Sequence, residues 1–174
     1  MPDELQFLDP ELTRHWRYYL LLESELETAL RYVEPSTGNA NTYSIEFARQ
    51  ILATCAQFET VARLLCSWRV HQTPRGIQQV MSHLNDIGPG LPGWRTRFYP
   101  QNEVVAPFSD WSRSKMPAWW NGYNRLKHEP SHNLPYATLT AAVRSVAALG
   151  LTTVQYLGVN AQPGTSRLFD LVPY

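Results

Sequence analysis

Lysine is nearly missing from this chain, cysteine is scarce, and no long apolar run occurs; each shortage removes a class of protein. Only Lys115 and Lys127 are lysines, so arginine supplies almost all of the positive charge. Fifteen bases meet fifteen acids for a net charge of zero, which excludes the broadly basic surface of a bulk polyanion binder. The two cysteines, Cys55 and Cys66, fall on one predicted helix. Their spacing puts them roughly 16 Å apart, beyond disulfide reach, as suits buried thiols of a cytosolic protein. No apolar run reaches the length of about 18 residues that a membrane-spanning helix needs. The opening MPDELQFLDPELTRHW carries no basic-then-apolar leader pattern, so a soluble, cytoplasmic protein is expected. Glycine-rich phosphate loops, Cys-x-x-Cys pairs, His-Glu-x-x-His and Gly-x-Ser-x-Gly are all missing as well. No cofactor or metal is therefore expected, and the isolated His71 and His83 read as surface or structural residues.

What is present fits one globular domain: 174 residues, 44% apolar and only 17% charged, too apolar for a disordered chain. The charge is unevenly spread. Residues 1–60 hold ten acids and four bases, and residues 61–174 hold five acids and eleven bases, so an acidic face and a basic face are expected. The preference for arginine suits bidentate phosphate or carboxylate contacts; a GC-rich genome would give the same bias.

Helical periodicity dominates the chain. Asp9-Pro10-Glu11 is a helix start, and the helix is predicted to run to about Glu34. Its apolar stripe of Leu12, Trp16, Tyr19, Leu26, Leu30 and Val33 is interrupted by Glu23. That carboxylate is either a partnered buried acid or a sign that the helix rotates outward. A second helix, from Asn41 or Ser44 to about Arg69, carries two apolar stripes and so is predicted to be central, packed on more than one neighbour. Glu46, Arg49, Glu59 and Arg63 lie on it at pairing distance. Residues 75–85 form a short third helix. A long irregular segment from Leu91 to Lys115 follows, in which RTRFYP and EVVAPF suit a short hairpin. Pro117 opens a helix that Pro130 breaks, and Pro135 opens a last, small-residue-rich helix in which Arg144 is the one charge. The expected architecture is an all-α bundle of four to five helices in one domain, its core spanning about 11–158. The tail 159–174 docks on the body through Leu168, Phe169, Leu171 and Tyr174.

Chemistry concentrates in Trp119-Trp120-Asn121-Gly122-Tyr123-Asn124-Arg125-Leu126-Lys127-His128-Glu129. On a helix, Trp120, Tyr123, Asn124 and Lys127 share a face with His128 at its edge. An amide, an imidazole and two cations within two turns can grip a phosphate and shuttle a proton. RNA cleavage by the ribose 2′-hydroxyl needs that combination. A tryptophan-anchored helix whose polar face is solvated, or pairs with acids such as Glu46 and Glu59, would show the same pattern.

Two blocks resemble bacterial proteins of the HEPN superfamily, all-α domains found among RNase toxins and phage-defence effectors. One is the core-helix stretch Phe47 to Glu59. The other is Pro107-Phe108-x-x-Trp111 followed by Pro117-Ala118-Trp119-Trp120 and Tyr123-Asn124-x-x-Lys127-His128. Together with the Ala/Leu-rich helix after them, they span about residues 44–157. The resemblance implies a HEPN-like bundle and a catalytic Arg and His a few residues apart, often with a polar residue right after the Arg. Arg125 and His132, with six residues between them, fit that spacing. Pro130 nonetheless lies between them, and Leu126 stands where a polar residue is usual. The Tyr-Asn-x-x-Lys-His string points instead to Asn124, Lys127 and His128.

The expected function is a metal-independent endoribonuclease of toxin–antitoxin or antiphage-defence type. His128 or His132 would be general acid or base, Arg125 and Lys127 would stabilise phosphate charge, and Asn124 would orient the reacting group. Tyr123, Trp120 and Arg49 are the expected substrate contacts. Expected partners are RNA, a cognate antitoxin or defence-complex protein, and a second copy of the chain, since HEPN nucleases build their site at a homodimer interface. The alternative is a non-catalytic helical adaptor that uses the same face, which the neutral charge suits. A third reading, a metal enzyme built on Glu46, Glu59 and His128, lacks the Glu-x-x-His pair such helical sites use.

Overall fold

A computed structural model describes residues 10–71, 73–158 and 165–172. Asp9 as a helix cap, the side chain of Leu12 and the docking of Tyr174 lie outside the described residues. Among the described residues six helices follow one another: α1 (Pro10–Ala29), α2 (Ile45–Val70), α3 (Ile77–Leu84), α4 (Ala118–His128), the one-turn α5 (Pro130–Asn133) and α6 (Leu139–Leu157). Three short strands join them, β1 (Thr96–Phe98), β2 (Glu103–Val105) and β3 (Phe169–Asp170). The fold is thus mostly helical but not all-α. Among the described residues no helix is long and apolar enough to cross a membrane.

Four helices form the body. The amide of Ser44 donates to the carbonyl of Ala137 at 3.3 Å and that of Leu139 to Thr42 at 2.9 Å, so α2 and α6 start together and run parallel. Gln50 Nε2 donates to the Leu22 carbonyl at 2.9 Å, and Gln57 Nε2 meets His15 Nδ1 at 2.9 Å; these pairs set α1 antiparallel to α2. The rings of Phe58 and Trp120 lie 5.8 Å apart, while Arg125, further along α4, stacks on Tyr136 beside the start of α2, so α4 is antiparallel too. Gln50 and Gln57 thus face α1 while Phe58 faces α4, and α2 also packs along α6 and against α3, so it is central with more than one neighbour, as the sequence predicts. The paired charges on α2 form as well: Arg49 with Glu46 at 2.6 Å and Arg63 with Glu59 at 2.6 Å.

Helix α6 is buried along nearly its whole length. Its small residues allow close approach, and a Cβ on Gly150 would stand 2.9 Å from Tyr19 Cε2 and 2.8 Å from Leu171 Cδ1. Arg144, its one charge, reaches Asp110 at 4.0 Å.

The segment between α3 and α4 forms the predicted hairpin. β1 pairs antiparallel with β2, Thr96 opposite Val105 and Phe98 opposite Glu103. Asn102 closes the connection at φ 52°, a conformation that asparagine tolerates better than most residues. On the other edge, Phe98 sits opposite Phe169 of β3, so the tail docks as a strand. Its anchor is Glu23, only 2% exposed. Its carboxylate accepts from Tyr19 Oη at 2.9 Å, from Ser166 Oγ, and from the amides of Arg167 at 3.1 Å and Leu168 at 3.0 Å. Glu23 is therefore the partnered buried acid of the two readings. Burial, followed by the neighbouring Glu23 charge, holds the Tyr19 phenol well above its ordinary pKa.

Two boundaries differ from the sequence reading. α1 ends at Ala29, and Leu30 to Val33 form turns. α6 begins at Leu139, not Pro135, because Thr138 caps it by accepting from the amide of Ala141 at 3.1 Å. Pro135 instead sits in a 3-10 turn, Leu134–Tyr136.

Candidate functional site

Helix α4 is placed by the segment that precedes it. Pro117 offers no capping side chain. Asp110 does that work from a distance, its Oδ2 accepting from the amide of Ala118 at 2.8 Å. Trp119 Nε1 donates to the Pro107 carbonyl at 2.6 Å, and its ring lies 5.3 Å from Phe58 and 5.8 Å from Phe108. Trp94 closes the cluster against Phe108 at 5.8 Å. The Pro-Phe and Trp-Trp parts of the motif thus form an aromatic core that locks α4 onto α2.

This core divides the motif in two. Trp120 is 2% exposed and Tyr123 is 5% exposed, their rings 4.9 Å apart. The two aromatic residues expected at the substrate are therefore packed inside, and substrate could reach no more than their edges. Burial raises the Tyr123 phenol above its ordinary pKa, and the ammonium of Lys127 partly opposes it. Asn124, Arg125, Lys127 and His128 are all exposed.

The break after α4 falls at Glu129, with φ −141° and ψ 77°, and Pro130 starts a new turn, where its missing amide hydrogen costs nothing. His132 stands exposed on that turn, off the axis of α4. Asn133 Nδ2 donates to the carbonyls of Arg125 at 3.1 Å and Glu129 at 2.9 Å, capping the end of α4. Arg125, Lys127 and His128 occupy the last turn, where the helix dipole favours cations. Part of this basic run therefore has a structural reason.

Because α4 runs against α2 and α6, its basic end lies at the pole where those helices begin. Arg125 stacks its guanidinium on the ring of Tyr136, 4.6 Å from the centroid, and Lys127 Nζ lies 5.7 Å from the centre of Tyr123. Tyr136, Tyr43 and Ile45 are all exposed at this pole. Tyr136 escapes a motif search, because only the fold of the 3-10 turn brings it beneath Arg125. Asn124, His128 and His132 make no hydrogen bond or ion pair among the described residues.

Arg49 lies elsewhere. It turns toward α1, pairing with Glu46 and with Glu25 of α1 at 3.1 Å, pairings that raise its pKa. Glu46 and Glu59 are separated along α2 by roughly 20 Å, and each is committed to an arginine. That spacing removes the metal reading built on those two acids with His128. Among the described residues no group of three or more His, Cys, Asp or Glu could hold a metal ion. No family model, curated protein or solved structure matches the chain.

Proposed function

We propose that the chain is a HEPN-like, metal-independent endoribonuclease of toxin or antiphage-defence type, acting on single-stranded RNA at the basic pole. One observation carries the reading: Asn124, Arg125, Lys127, His128 and His132 are exposed together on two successive turns, beside the exposed ring of Tyr136. Phosphate would bind Arg125 and Lys127, whose charge stabilises the phosphorane as the 2′-oxygen attacks. His128 takes the 2′-hydroxyl proton or returns one to the departing 5′-oxygen; His132 is the second candidate. Asn124 orients the scissile phosphate, and a base can stack on Tyr136. The surface is open, so a second copy of the chain would supply the facing wall, and an antitoxin would act by covering it.

A second reading, a non-catalytic adaptor that binds a partner through this pole, draws on the same openness. Its cations already rest on tyrosine rings, an arrangement suited to recognition.

Induced expression separates the two. With wild type, growth should stop and total RNA should fragment in EDTA-treated lysates. The Arg125→Ala/His128→Ala variant should be harmless and keep the wild-type circular dichroism. Intact RNA and normal growth with folded wild-type protein would reject the nuclease and leave the adaptor.

A further inference from the structure

A cavity of 480 Å³ opens between the last turns of α2 and the end of α3. It lies roughly 30 Å along α2 from the basic pole and shares no residue with it. Its volume falls within the range of about 300–1,000 Å³ typical of small-molecule sites. Leu65 and Ile87 form apolar walls. The indole of Trp68 lines it while remaining 63% exposed, an uncommon position for the largest apolar side chain. Arg69, also on the wall, holds its guanidinium 6.0 Å from the Trp68 ring and forms no ion pair among the described residues. The partly exposed His83 and the exposed carboxylate of Asp86 line it as well.

Each group asks for a different part of one ligand. An exposed indole offers a stacking face for a flat ring. A guanidinium without a carboxylate partner suits an anion, phosphate above all. The imidazole of His83 can give or take a hydrogen bond at that ring, and the carboxylate calls for an amine. The remaining wall, Cys66, is a poor nucleophile, since burial pushes its thiol up to about 11, so the cavity suits reversible binding. We propose that this cavity binds a purine mononucleotide. Its base stacks on Trp68, with the exocyclic amine toward Asp86, a ring heteroatom toward the His83 imidazole and the phosphate on Arg69. The site is independent of the ribonuclease reading.

Titration calorimetry of the full chain with AMP, GMP and IMP tests it. AMP or GMP should give saturable heat, and IMP, which lacks the amine, should bind more weakly. Trp68→Ala and Arg69→Gln should each weaken binding by about tenfold. Both side chains are exposed, so both variants should fold, with circular dichroism as the check. Arg125→Ala/His128→Ala should bind as wild type does. The proposal is overturned by absent saturable heat at millimolar nucleotide, by binding indifferent to Trp68→Ala and Arg69→Gln, or by binding lost in the basic-pole variant.

Discussion

Replacing Glu23 by Gln should loosen the tail and lower global stability together. Oε1 of Glu23 accepts from Tyr19, Ser166 and the Leu168 amide, and Oε2 accepts from the Arg167 amide at 3.1 Å. The Gln amide keeps one acceptor oxygen and places an N–H₂ against the Arg167 N–H. One donor then loses its partner, at about 1–3 kcal/mol. The three bonds that remain lose their charge assistance, which accounts for roughly half the strength of such bonds. A neutral amide is easier to bury than a carboxylate, and that offsets part of the loss. The net cost should be about 2–4 kcal/mol, a large share of the roughly 5–15 kcal/mol that holds a domain folded. Urea unfolding reads it as a lower midpoint at unchanged slope. Native-state hydrogen exchange should show the Arg167 and Leu168 amides exchanging faster, and trypsin should cut after Arg167 sooner. If Glu23→Gln unfolds within about 0.5 kcal/mol of wild type, with both amides protected as before, the carboxylate does not anchor the tail.

Three more outcomes follow from the packing. Gly150→Ala gains about 1 kcal/mol in helix propensity, yet its Cβ would strike Tyr19 and Leu171. Overpacking costs about 1–3 kcal/mol, so calorimetry should show a lower Tm. Trp119→Phe leaves the Pro107 carbonyl without the indole donor it holds at 2.6 Å, and chemical unfolding should register a loss of about 1–3 kcal/mol. Tyr19 and Tyr123 both have raised pKa values, from burial first. Their contribution to stability is complete below the unfolded value of about 10 and is lost as pH climbs above it. Ultraviolet titration should show these two phenols ionising late, together with alkaline unfolding.

Periodicity made the helices legible, including α2 as the central one, because two apolar stripes on one helix require two neighbours. The i, i+3 and i, i+4 charges on α2 paired as read, since their spacing is geometry that any helix supplies. The hairpin was legible from its flanking strand residues and the turn between them. Helix ends were not: Thr138 outcompetes Pro135 as the start of α6 only because its hydroxyl caps the Ala141 amide. Strand β3 was read only as a docking tail, for its two residues have no periodicity and depend on the edge of β1 and on Glu23. In the motif, Trp120 and Tyr123 share a helical face with Lys127, which placed them all at one surface. The depth of the aromatic cluster around Phe58 decides otherwise, and that depth comes from Phe108 and Trp94, distant in sequence.

The division of the motif also limits what likeness in this string can mean. Pro107, Phe108, Trp119, Trp120 and Tyr123 are held by burial, so any chain that keeps this core keeps them, whether or not it acts on RNA. Asn124, His128 and His132 do no packing here, and Arg125 and Lys127 rest on tyrosine rings at the surface. Substituting the first group should cost stability and, through it, any activity. Substituting the second should leave the Tm nearly unchanged. If Asn124→Ala and His128→Ala abolish activity at an unchanged Tm, the exposed half is a site. If neither alters activity, the basic pole is a dipole-compensated helix end.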